Sequence, residues 1–289
     1  MIFWWLDSGN RKLHDDRATN RKNMINIKAM ARVAVAVAAC LGVSQAGATT
    51  TFQIGNGGLE TFNLTWDGHS ENGALAGGIS LTRIGSGIPS FNSVCTDIGG
   101  TLYLESQYVY SDATVFQNQD GIRPSWGAGN SGIALDASWA SLTPAQQNNA
   151  SAAVQAAADI FYHHQGVLNG GSLSDKAALQ LAVWEALYDT TKGSASYNLT
   201  DANSRFSVSS GDADAISTAG TWLSQVNVNA NYTGYLLIPT PESQHGLNGQ
   251  EVFYNVTPVP EPATILAAAF LLLPFGVSTF RVLRRNRAA

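Results

Sequence analysis

Apolar and polar residues alternate along Thr61-Phe62-Asn63-Leu64-Thr65-Trp66 and again along Ile79-Ser80-Leu81-Thr82-Arg83-Ile84, with glycine-rich turns on either side. A two-residue period sends successive side chains to opposite faces, so both segments are predicted to be half-buried strands. The aromatic-rich stretch 101–110 adds a further strand or pair. The period then changes. Thr143-Pro144 opens an Ala- and Gln-rich run through Tyr162, with proline suited to the first helical position and Gly166 as the expected stop. Ser174 is the expected cap of a second helix, from Asp175 to about Asp189, which places Leu179, Ala182, Val183 and Leu187 on one buried stripe. A third helix is expected over 212–226. Strand character returns at 235–238 and 251–256. Strands at both ends of this region, pairing around the helices, predict an α+β domain over 49–257: an antiparallel sheet or partial barrel with a helical insertion.

The two ends of the chain follow a different pattern. Val259-Pro260-Glu261-Pro262 precedes an apolar run from Ala263 to Phe280, interrupted by Pro274 and Gly276, and then Arg281, Arg284, Arg285 and Arg287. A run of this length lies at the short end of the spanning range, so a transmembrane helix is expected over 264–280 with a basic stop behind it. At the other end, Lys28 and Arg32, the apolar stretch 33–43 and Ala46-Gly47-Ala48 form the three regions of a secretory signal peptide over 24–48, with the mature chain starting at Thr49. Residues 1–23 are polar and fit no part of such a signal, so translation is expected to start at Met24. Val37-Ala38-Ala39-Cys40 resembles a bacterial lipobox, which would instead place a lipid on Cys40.

The ordered box, helix and arginines of residues 258–289 closely resemble the PEP-CTERM sorting signal of bacterial envelope proteins. That resemblance implies processing by an exosortase, a transpeptidase-like membrane protease of Gram-negative bacteria that make exopolysaccharide. The protein would be held in the inner membrane through its tail and released to the cell surface or extracellular matrix after processing.

Charge sharpens the picture of the middle. Of 16 Lys and Arg, seven precede Thr49 and four follow Phe280, leaving five between; 18 of the 21 Asp and Glu remain there, for a net charge of about −13. With no basic stripe to neutralise phosphates, nucleic acid is not expected as a partner.

Cys95 is the single cysteine of the mature chain, so it has no internal disulfide partner. Its setting, Val94-Cys95-Thr96-Asp97, reads as a strand end. Far along the chain, Leu179-Gln180-Leu181-Ala182-Val183-Trp184 lies on the first turns of the second predicted helix. Together the two segments resemble the thioester domains of bacterial surface proteins, in which a Cys-x-Asp cysteine reacts with the Gln of a Thr-Gln-x-Ala-x-Trp helix. Cys95 and Asp97 match the first motif; Gln180, Ala182 and Trp184 match the second. Leu179 stands where the family has Thr. The resemblance covers about Gly55 to Val256 and implies a thioester-domain-like fold and an internal Cys95–Gln180 acyl bond, screened by Trp184, Tyr188 and strand aromatics. The other reading of the same residues is a buried, inert Cys95, a hydrogen-bonding Gln180 and a core Trp184.

Other candidates carry less. His163 and His164 are adjacent and point in different directions, so they form no two-ligand metal face. A Cys95/His164/Asp protease lacks a nucleophile setting, Gly55-Asn56-Gly57-Gly58 lacks the basic residue and following helix of a phosphate loop, and no carboxylate pair suggests glycan hydrolysis. The sequons at Asn63, Asn149, Asn198, Asn231 and Asn255 reflect an Asn- and Thr-rich surface. The sequence therefore predicts a non-enzymatic adhesion or matrix protein without metal or cofactor, partnered by the exosortase and by exopolysaccharide or surface amines and hydroxyls. A passive structural or carbohydrate-contacting module of the same fold is the alternative.

Overall fold

The computed structural model describes residues 49–98, 102–115, 142–189, 197–227, 231–240 and 250–259. The signal peptide 24–48 and its upstream stretch, Pro260, Glu261, Pro262, the apolar run 264–280 and the arginines behind it lie outside these residues. Among the described residues no helix is long and apolar enough to cross a membrane.

Two long strands, β1 (Thr49–Trp66) and β2 (His69–Ile84), form an antiparallel hairpin. Its turn is Asp67-Gly68, both with positive φ (46° and 82°), the backbone that two-residue hairpin loops require. These strands run through glycine-rich stretches that the sequence pattern marked as turns. The glycines serve a close approach instead: β1 shifts register between Asn56 and Leu59, and a Cβ on Gly77 would sit 2.2 Å from the Gly58 carbonyl oxygen.

The remaining strands among the described residues are β3 (Phe91–Ser93), β4 (Gln107–Val115), β5 (Phe206–Ser210), β6 (Tyr232–Pro239) and β7 (Val252–Pro258). The antiparallel sheet runs β3-β2-β1-β4-β6-β7, and β5 pairs with the far half of β1. Its two outer edges meet again. Cys95 bridges Val252, the Thr96 N–H donates to the Glu251 carbonyl at 2.8 Å, and the Ser93 hydroxyl donates to the Phe253 carbonyl at 2.7 Å. The fold is thus α+β with a partial barrel, its seam at residues 93–96.

Among the described residues four helices complete it: α1 (Pro144–His164), α2 (Val167–Gly170), α3 (Leu173–Tyr188) and α4 (Ala213–Leu223). Thr143 and Gln146 close a capping box at the start of α1, which ends one residue before its C-cap Gln165. The start of α3 differs from expectation. Ser172, not Ser174, is its N-cap, in a reciprocal box with Asp175. Ser174 instead donates its hydroxyl to Asp212, the N-cap of α4, so two helix starts are tied together. That hydrogen bond holds the Asp212 carboxyl below its ordinary range.

Helix α3 is also more central than one apolar stripe implies, because every residue from Ala177 to Tyr188 is buried. Four alanines there let neighbours approach closely, while Phe52, Ile54, Phe62 and Leu64 from alternate positions of β1 fill the sheet side. Each such large side chain contributes about 1.5–3 kcal/mol by leaving water.

Polar groups on a helix buried this far from water depend on partners inside the protein. Glu185 accepts from the Asn198 N–H at 2.8 Å and Asp189 from the Arg205 N–H at 2.9 Å; Arg205 in turn forks onto Asp67 at 2.7 and 2.9 Å, clamping the chain before β5 to the hairpin turn. Burial, then Glu185 and Asp189, pushes the Tyr197 phenol up to about 12. Replacing Glu185 with alanine is expected to cost about 2–3 kcal/mol in denaturant unfolding through a lost acceptor and a cavity, with Glu185→Gln costing less than half of that.

Candidate functional site

Cys95 sits two residues beyond β3, at the seam. With its neighbour Thr96 bonded to β7, the N–H and C=O of Cys95 itself are taken by the side chain of Gln180, on the second turn of α3. The Cys95 N–H donates to Gln180 Oε1 at 2.8 Å, and Gln180 Nε2 donates to the Cys95 carbonyl at 2.5 Å. The carboxamide thus pairs with Cys95 as a neighbouring strand would, across 85 positions of sequence. Both residues are inaccessible, Cys95 at 4% and Gln180 at 1% exposure.

Trp184 follows Gln180 by four residues and so shares its helix face. Cys95, Gln180 and Trp184 line one cavity of about 400 Å³, with Leu59, Trp66 and Leu102 among its other walls. Trp184 Nε1 is buried without a hydrogen-bond partner among the described residues. Tyr188, expected as a wall, instead packs under the Arg205 guanidinium, 5.8 Å from its ring centre. Ala182 and Leu179 are fully buried and do not line this cavity. Leu179 therefore fills a packing position, where a Thr hydroxyl would itself need a partner. Asp97 is buried at 2% exposure and near enough to act on the thiol.

Burial, reinforced by the Asp97 charge, pushes the Cys95 thiol far above its ordinary range. At neutral pH it is a protonated thiol, not a standing thiolate. The sign of the linkage follows. A free Cys95 keeps its proton in the folded state at pH values where the unfolded chain releases it, so its contribution is present below the unfolded pKa, about 8.5, and is lost as pH rises above it. Cys95→Ala is expected to flatten that alkaline loss of stability in the free-thiol form, read from urea midpoints at pH 7 and about pH 9.5.

The sequence did not point to Gln155. On α1 it makes the same two-point pair with Tyr232, accepting from its N–H at 2.6 Å and donating to its carbonyl at 3.2 Å. A helix-borne Gln completing a strand end is therefore a structural device used twice here. Gln180 differs in that its strand partner is the cysteine and that both line a cavity. The signal available for Gln155 was the one amide within the Ala-rich stretch 150–158 of that helix. Asp159 was also missed; its carboxylate accepts from the Tyr232 hydroxyl at 2.7 Å and the Asn227 N–H at 2.9 Å.

The two histidines part as their adjacency requires. His163 Nδ1 lies 2.9 Å from the Asp159 carbonyl, and His164 stacks on Trp222 with centroids 4.0 Å apart. Among the described residues no group of three or more His, Cys, Asp or Glu could hold a metal ion. No family model matches the chain, and no curated protein or solved structure matches it either.

Proposed function

We propose that this is an exported surface or matrix protein, sorted through its C-terminal tail by an exosortase, whose thioester-domain-like fold attaches covalently through a Cys95–Gln180 thioester. The observation that carries the reading is the contact of Cys95 with the Gln180 carboxamide beside a cavity.

The chemistry suits that arrangement. Cys95 Sγ attacks the Gln180 amide carbon, the C–N bond breaks, and the thiol proton leaves on nitrogen as ammonia; a thioester remains. The Cys95 N–H already donates to Gln180 Oε1, the oxygen on which negative charge develops during attack, so the donor is in place beforehand. Asp97 raises the thiol's affinity for its proton, and it is also the carboxylate whose charge acts on that thiol. An amine or hydroxyl entering the cavity then takes the acyl group and restores the Cys95 thiol.

Intact mass tests the bond. The mature chain, purified without amines, is expected to weigh one ammonia less than its sequence, and methylamine to add itself at Gln180. A full-sequence mass with a thiol that titrates after unfolding would leave only the hydrogen-bonded clamp. Sorting has its own test. Replacing Pro260, Glu261 and Pro262 with alanines is expected to leave the protein uncleaved in the membrane of a strain carrying an exosortase, and unchanged processing would remove that part of the reading.

A further inference from the structure

A second pocket, of about 560 Å³, shares no residue with the cavity at Cys95. It lies where the last turns of α1 and α4 meet the start of β6, lined by Asp159, His163, His164, Trp222, Gln225, Asn227 and their neighbours. Its volume is that of a small-molecule site.

The lining narrows what fits. Among the described residues no Lys or Arg lines it, so an anion finds no countercharge there. A cation gains little from Asp159, which is 4% exposed with both oxygens already accepting, from the Tyr232 hydroxyl and the Asn227 N–H. A purely apolar ligand would strip water from exposed His163, Gln225 and Asn227 without replacing it. What remains is an uncharged molecule with a flat C–H face and several hydroxyls.

Groups for both parts are present. Trp222 is only half-buried and lines the pocket, and His164 stacks on one face of its indole, 13° between their planes, which holds the indole in place as an aromatic surface at the pocket. Partial burial, then His163, lowers the His164 pKa, so this surface is uncharged at neutral pH. With Nδ1 directed at the Asp159 carbonyl, His163 leaves Nε2 as an acceptor for a hydroxyl. The exposed Gln225 carboxamide, on the turn after α4, has no partner among the described residues and offers a donor and an acceptor together.

We propose that the α1–α4 pocket binds a neutral sugar residue of a glycan, its C–H face on the Trp222 indole that His164 backs and its hydroxyls on Gln225 and His163. The site is independent of the thioester.

Saturation-transfer NMR on the purified full chain tests this with neutral cello-, malto- and galacto-oligosaccharides and with oligogalacturonate as the anionic control. At least one neutral series is expected to bind. Trp222→Ala is expected to weaken it tenfold or more, Gln225→Ala several-fold, and Trp222→Phe to restore most of the affinity. Gln225 is exposed, so its variant reports on binding even if Trp222→Ala perturbs folding. Cys95→Ala is expected to bind sugar unchanged, which separates this site from the covalent one. Binding by none of the neutral series, binding of oligogalacturonate alone, or neutral-sugar binding indifferent to both Trp222→Ala and Gln225→Ala would overturn the proposal.

Discussion

Cys95→Ala is expected to lower the unfolding free energy of the thioester-bearing chain by about 4–5 kcal/mol, without loss of helix content. A covalent link between Cys95 and Gln180 closes a loop of 85 positions. By the loop-closure arithmetic used for disulfides, such a loop withholds about that much conformational entropy from the unfolded chain. Without the link, the same substitution removes one small buried group and costs about 1 kcal/mol. Gln180→Ala is expected to cost about 2–4 kcal/mol more than Cys95→Ala, because it also strips the Cys95 N–H and C=O of their partners at a buried seam. Urea unfolding of the three proteins, each with its intact mass, reads both quantities together. A Cys95→Ala cost near 1 kcal/mol, with no ammonia deficit in the parent, would leave Gln180 as a clamp like Gln155.

Gly77→Ala is expected to be the most damaging single methyl in the described sheet, at about 3–4 kcal/mol. Gly77 has φ of 146°, which an L side chain rarely adopts, and its new Cβ would lie 2.2 Å from the Gly58 carbonyl oxygen. That neighbour is backbone of a paired strand, so β1 and β2 must separate to make room. Gly73 provides the control. It too has positive φ, 83°, but a Cβ there meets only the Thr61 methyl at 3.8 Å, so Gly73→Ala carries the backbone term alone, about 1 kcal/mol. Thermal melts of the two variants separate strain from collision.

The alternating stretches and the capped helices were legible because their signals are local. Phe62 and Leu64 point inward by period alone, and Thr143-Pro144 announces α1 whatever surrounds it. The full length of β1 and β2 was not legible. Glycines at 55, 57, 58, 77 and 78 read as turns when taken locally, and only tertiary neighbours show why a side chain is crowded there: the opposing strand at Gly55, Gly57 and Gly77, and side chains of α2 and α3 at Gly58 and Gly78. Strand β5 was missed for a related reason, since the Phe206–Ser210 stretch is short and its partner is the far end of β1. Ser172 was legible as the cap of α3, since it alone of the two serines has a carboxylate three residues on, Asp175, whereas the tie of Ser174 to Asp212 depends on tertiary packing. Within the candidate site, the residues Cys95, Gln180 and Trp184 came from motif order, whereas the second Gln clamp and the carboxylates beneath α3 depend on which side chains tertiary packing leaves without water. Glu185 was the one visible hint, the single charge in the helical run 177–188.

The seam has a mechanical side. Tension applied through the chain beyond Val259 enters along β7, whose last residues pair with the start of β6 and whose first residues meet residues 93–96. Pulled along its own axis, β7 loads the backbone bonds on both of its flanks together, in shear, so many must break at once instead of unzipping singly. Gln180 anchors the far flank of that seam to the most buried helix of the domain, which carries the load from the barrel's edge into its centre.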